Sequence, residues 1–102
     1  MPVFVIAEVE VTEPEAYARD FVPKNQPIVK AAGGRYVAVG GKVTPLEGPA
    51  PQRCVVHVWD TMDEMLAWWH SPELKASRAI GNKYAKFRVY AVEGLPTAEP
   101  TR

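Results

Sequence analysis

The chain has 102 residues, 47% of them apolar, with 12 Lys plus Arg against 12 Asp plus Glu. That length predicts one domain, over residues 1–95 with a Pro-containing tail at 96–102, and zero net charge argues against nucleic acid or an anionic membrane as partner. The longest apolar stretch, Val3 to Ala7, is too short to span a bilayer, and Met1-Pro-Val-Phe-Val carries no charged region ahead of an apolar one. With a single cysteine, Cys54, and so no internal disulfide, the expected location is the cytoplasm.

Residues 3–11 are rich in β-branched side chains and alternate, which predicts a first strand with Val3, Val5, Ala7, Val9 and Val11 on one face. Phe4, Ile6, Glu8 and Glu10 take the other. Thr12-Glu13-Pro14-Glu15 reads as a capping box with Thr12 as cap, opening a helix that turns Tyr17, Phe21 and Val22 inward. Pro23 and Pro27 predict a kink or break near residues 23–27, then a second helical piece that ends at Gly33-Gly34.

Residues 35–39 read as strand two. Gly40-Gly41 suggests a bulge or bend, after which the strand resumes through Val43. The proline-rich stretch 45–52 is a loop. Residues 53–59 form strand three. Thr61-Met62-Asp63-Glu64 caps a helix with Met62, Met65, Leu66 and Trp69 at helical spacing. Ser71-Pro72 caps and starts another, and residues 86–93 are strand four.

The order β-α-β-β-α-β is the ferredoxin-like arrangement, an α+β fold with a four-stranded antiparallel sheet and its helices on one face. The other face, with Phe4, Ile6, Tyr90 and Val92, is then an apolar patch. A homodimer packed sheet to sheet covers it economically.

In this order sit Ile6-Ala7-Glu8-Val9, Glu15-Ala16-Tyr17, Gly33-Gly34-Arg35-Tyr36, Gly40-Gly41, Leu46-Glu47-Gly48, Ala67-Trp68-Trp69, Ser71-Pro72-Glu73, Arg78 and Val92-Glu93-Gly94. Together they resemble the bacterial family known as domain of unknown function 1330, in the dimeric α/β barrel superfamily. The resemblance runs from residue 3 to about residue 95. It implies two subunits whose sheets form a barrel, and no agreed activity. Other superfamily members include cofactor-independent monooxygenases, polyketide cyclases and lactone isomerases, whose pockets lie between sheet and helices. This chain departs from the family pattern at Leu74, where Tyr is common, at Val58, where Glu is common, and at His57, where an aliphatic residue is common.

Among chemistry-bearing residues His57 comes first. Alternation puts Arg53, Val55, His57 and Trp59 on one face of strand three, assigned here to the helix side. A histidine beside the small Ala7 could serve as general base or acid; the structural alternative is a histidine buried neutral and held by a backbone or Tyr hydroxyl partner. Tyr17, Trp68 and Tyr84 are aromatics with polar tips that could line the same cavity, and ordinary core packing is the competing account. Arg53, at the strand start, would bind an anionic group at the pocket mouth, whereas Arg88 has Glu8 or Glu10 as a cross-strand partner. Trp59 and Trp69 read as core. His70 closes a helix, where a cation is favourable.

Glu73 and Arg78, on one helix, read as docking and solvation. No His, Cys or carboxylate spacing makes a metal signature. Cys54 and His57 point to opposite faces, which argues against a Cys–His pair, and neither Gly pair lies between a strand and a helix start, which argues against a phosphate loop. No cofactor is implied. The expected function is acid/base chemistry on an apolar or aromatic metabolite without a cofactor; the alternative is a non-catalytic small-molecule-binding or stress-associated homodimer.

Overall fold

Alternating β-branched residues build β1 (Val3–Val11), and its inward face is buried at Val3, Val5 and Val9. The computed structural model describes residues 1–96. The remaining elements are α1 (Pro14–Ala16), α2 (Val22–Ala32), β2 (Arg35–Val39), β3 (Arg53–Trp59), α3 (Met62–Trp69), α4 (Pro72–Gly81) and β4 (Ala85–Glu93). The strands form one antiparallel sheet in the order β2-β3-β1-β4. This is the ferredoxin-like α+β arrangement, with β1 and β3 central. The expected tail at 96–102 lies outside the described residues except for Pro96. No described helix is long and apolar enough to cross a membrane.

The first helical stretch differs from expectation at both ends of its opening turn. Thr12 does not cap it: the Thr12 hydroxyl donates to the carbonyl of Tyr84 at 2.9 Å, and the N-cap position falls to Glu13, with no side-chain hydrogen bond. The distortion lies upstream of residues 23–27, in a π-helical turn over Tyr17–Phe21 that joins α1 to α2 and is closed by Val22 N–H donating to the Tyr17 carbonyl. In regular helical geometry the Pro23 ring would collide with the Arg19 carbonyl four residues back. The wide turn containing Arg19 relieves that collision, and α2 then runs on through Pro27. Gly33, at φ 111°, is the left-handed cap.

The bulge also moves. β2 ends at Val39 and does not resume, while its register against β3 shifts between Tyr36 and Ala38. Gly40 instead makes the bend, at φ 65°. The other two caps are as expected: Thr61 Oγ1 accepts from Glu64 N–H and Ser71 Oγ accepts from Leu74 N–H.

Two packed clusters fill the space between sheet and helices. One gathers Val3, Val5, Val29, Trp59, Met65, Trp68 and Leu74; the other gathers Val9, Tyr17, Phe21 and Ala85. On the opposite face the cross-strand pairs Phe4–Val92 and Ile6–Tyr90 lie beside each other, with Tyr90 45% and Val92 51% exposed. Glu8 on that face accepts from the Tyr90 hydroxyl at 2.6 Å and lies 3.8 Å from Arg88.

Gly34 is a point where packing admits no side chain. A Cβ there would sit 2.6 Å from the Trp59 ring and 2.7 Å from Val29, both fully buried. Gly34→Ala should therefore lower unfolding free energy by about 1–3 kcal/mol through overpacking. Urea denaturation checks this, and an unchanged midpoint would show that the contact yields.

Candidate functional site

The two clusters leave a gap between them, a cavity of about 320 Å³. It lies over Ala7, whose strand neighbours Val55 and Val89 also line it. The small side chain at position 7 leaves room that a larger one would fill. Tyr17, Phe21, Tyr36, Trp68, Trp69 and Phe87 supply aromatic walls, while Asn25, Gln26, Arg53, His57, Arg78 and Asn82 supply polar atoms. Volume and composition match the small end of ligand cavities.

His57 stands in this wall, paired across the sheet with Val5 and Tyr36, and only 4% exposed. Its partner is neither backbone nor a Tyr hydroxyl. Trp59, two residues on and therefore on the same face of β3, donates its indole N–H to His57 Nδ1 at 2.7 Å. An indole nitrogen only donates, so Nδ1 must be unprotonated and the ring proton belongs on Nε2. Among the described residues no group hydrogen-bonds Nε2. The rings of Tyr36, Trp59 and Trp68 approach His57 edge-on at 5.5, 5.7 and 5.1 Å. Burial in this apolar collar lowers the His57 pKa from 6.5 to about 4. At neutral pH His57 is therefore an uncharged donor.

Arg53, at the start of β3, lines the cavity and stands over the Tyr17 ring at 5.8 Å. Its guanidinium packs against Gly40, where any Cβ would overlap it. Its Nε is buried without a hydrogen-bond partner. Burial pushes the Tyr17 hydroxyl pKa up, against the opposing pull of Arg53. Burial and the nearby Tyr17 push Tyr36 up to about 12, so both phenols stay neutral. Trp68, 5% exposed, has an indole N–H with no partner.

Of the residues singled out in the sequence, Tyr17, Arg53, His57 and Trp68 are thus brought together. Tyr84 does not line the cavity. β4 starts at Ala85, so Tyr84 falls in the preceding turn, packed against the Val9 cluster with its carbonyl serving Thr12. Trp59 is core, with no measurable exposure, whereas Trp69 also walls the cavity and is covered by Arg78, 4.1 Å from its ring. Asn25, Gln26 and Asn82 were not singled out by sequence; Arg78 was read there as docking and solvation, and Tyr36 only as part of a family motif. Tyr36 had a signal: it faces His57 across the adjacent strand. Among the described residues no three His, Cys, Asp or Glu side chains gather as a metal-binding group.

The lowered His57 pKa has a stability consequence. Between pH 6.5 and about 4 the unfolded histidine holds a proton that the folded one does not. Stability is therefore complete above this window and falls as pH drops through it, by at most about 3 kcal/mol. Urea titrations at both ends of the window should show that loss, and His57→Gln should flatten it. Imidazole ¹⁵N shifts should report the Nε2–H tautomer down to pH 5; an Nδ1–H signal would refute the assignment.

A protein of unknown function from Rhodopseudomonas palustris superposes with a TM-score of 0.72 and 16% identity, over 92% of this chain and 82% of that one. An ethyl tert-butyl ether d (ethd) family protein from Bacillus halodurans gives 0.63 and 16%, over 93% and 100%. SnoaB, a cofactor-independent oxygenase from Streptomyces nogalater, gives 0.59 and 12%, over 97% and 98%. At these identities the likeness shows the α/β barrel fold. No curated protein matches the sequence. The family model for the domain of unknown function DUF1330 matches residues 2–95, and the chain belongs to that family.

Proposed function

We propose that the cavity binds a small apolar or aromatic metabolite and that the protein is a cofactor-independent enzyme doing acid/base chemistry on it, of cyclase, isomerase or monooxygenase type. The observation that carries this reading is an aromatic-walled space of about 320 Å³ with a buried, neutral histidine in its wall. The fold shared with SnoaB, a cofactor-independent oxygenase, supports it by analogy.

His57 is the candidate catalytic residue, and its role is that of donor. Nε2–H would bond a substrate oxygen that carries negative charge, as in an enolate or phenolate that arrives already ionised. Nε2 already carries its proton and takes none; to act as a base there His57 would first have to shift that proton to Nδ1, against the Trp59 N–H, and would end as a buried imidazolium. Tyr17, Trp68 and Arg53 would hold and orient the substrate.

One observation favours a second reading. Among the described residues the cavity wall has no carboxylate, and the one imidazole lone pair is taken by Trp59. A ligand-binding or stress-associated dimer without chemistry needs neither.

Incubation with a metabolite extract, followed by mass spectrometry, separates these readings. The expected result is a compound consumed by the wild type and spared by His57→Ala and by Ala7→Leu, which fills the cavity. A compound retained but unconverted would establish the second reading, and neither retention nor conversion would remove both.

The same reading takes the protein as one domain over residues 1–95, cytoplasmic and homodimeric. The apolar ladder of Phe4, Ile6, Tyr90 and Val92 would face its symmetry copy. Val92→Lys, at an exposed position on that face, should leave the circular dichroism spectrum unchanged and halve the mass seen by analytical ultracentrifugation. A dimer that survives it places the interface elsewhere.

A further inference from the structure

We infer that the cavity selects a planar organic anion, its charged oxygens held by Arg53 and a further acceptor oxygen by His57 Nε2–H. This rests on the reading of the cavity as a small-molecule site and adds the charge and polarity of what enters it.

Arg53 and Arg78 are cations, and among the described residues no Asp or Glu lines the space. The chain as a whole is balanced at 12 and 12, so this one-sided wall is local. Elsewhere arginines do find acids: Arg19 pairs with Asp20, Arg35 with Asp60, and Arg88 lies near Glu8. Arg53 has no carboxylate partner among the described residues. Its Nε is buried and unbonded, a costly state for a charged donor unless a ligand supplies an acceptor.

The neighbouring polar atoms have the same sense. Trp68, 95% buried by its 5% exposure, carries an indole N–H without an acceptor. His57 offers N–H, because its lone pair is committed to Trp59. Among the described residues, three side chains of one cavity thus hold donors without acceptors. A buried donor set without acceptors fits an acceptor-rich guest and rejects one that brings further donors. The walls add shape: Tyr17, Tyr36, Trp68 and Phe87 give aromatic surface for a flat ring system. A hydroxyaryl carboxylate or a stabilised enolate has this chemistry, with charge delocalised over coplanar oxygens beside an apolar body. Arg53 suits it because a guanidinium binds two coplanar oxygens at once.

Gly40 is a positioning residue in this scheme. Its missing Cβ leaves the place where the guanidinium rests, and its neighbour Val39 lines the cavity. A carboxylate introduced at position 39 should therefore compete with a bound anion for Arg53 while leaving Arg53 in place.

The test is isothermal titration at neutral pH with 1-hydroxy-2-naphthoate and its uncharged amide, which have nearly the same shape. Wild type should bind the acid more tightly than the amide by on the order of tenfold or more. Arg53→Met should weaken acid binding more than amide binding and so bring the two affinities together. Val39→Asp should do the same, and serves if Arg53→Met fails to fold. Equal binding of acid and amide by the wild type overturns the anion inference and leaves the cavity reading standing, as does a preference that survives both variants. Binding of neither probe removes both.

Discussion

The hydrogen bond from Trp59 to His57 organises the centre of this molecule. Each partner solves the other's problem. An indole N–H in a dry core must find an acceptor, and a histidine in the same core must be neutral and anchored. Adjacent side chains on one strand face are two residues apart, so the pair is set by β3 alone. Its effects spread outward. The tautomer is fixed, the ring is held upright, and Tyr36 and Trp68 pack edge-on against it. Trp68 in turn belongs to α3, so the helix is keyed to the sheet through the same imidazole. Loss of His57 would leave the Trp59 donor buried and unpaired, a penalty of about 1–3 kcal/mol.

The cavity follows from what this keyed core leaves unfilled. Ala7 is small at the point where its strand partners are Val55 and Val89. The π turn brings Tyr17 and Phe21 to face it, with their rings 5.2 Å apart. Phe21 also rests on Gly81, where a Cβ would come within 2.6 Å of its ring, so α4 holds the wide turn close to the sheet. Prolines and glycines far apart in the chain therefore shape one wall. They set where aromatic rings stand, and the rings set how much space remains.

Alternation made the sheet legible, and with it the face that carries Arg53 and His57. Side-chain period two survives almost any context when one face is buried. The misread details are those in which a local signal met a tertiary competitor. Thr12 has the residue type of a cap, but the Tyr84 carbonyl from the turn before β4 takes its hydroxyl. Pro23 and Pro27 announce trouble in a helix, but the chain absorbs it one turn earlier. Gly40-Gly41 reads as a bulge, but the register slips at Val37. Tyr84 was read as cavity lining from its residue type, an aromatic with a polar tip, but it falls in the turn before β4. The His57 partner was in principle readable, since Trp59 shares its face and indole must donate. The emptiness above Ala7 was suggested by its size alone; the missing partners of Arg53 and Trp68 were beyond sequence, because they depend on where every acceptor in the fold ends up.

That last point changes what zero net charge means here. A balanced composition argues against polyanionic partners, whose binding scales with accumulated surface charge. It says nothing about a single half-buried cation in a cavity wall. The fold sorts its charges: Glu8 sits on the open sheet face, Asp60 lies beyond the end of β3, and Asp20 pairs with the adjacent Arg19. Among the described charged residues, Arg53 combines a buried, unbonded nitrogen with a place in the cavity wall. In a medium of low polarity an unpaired charge is stabilised by whatever counter-charge can reach it, far more than at the surface. A small anion entering beside Arg53 would supply what the fold withholds, and the same electrostatics would favour charge developing on a bound substrate oxygen.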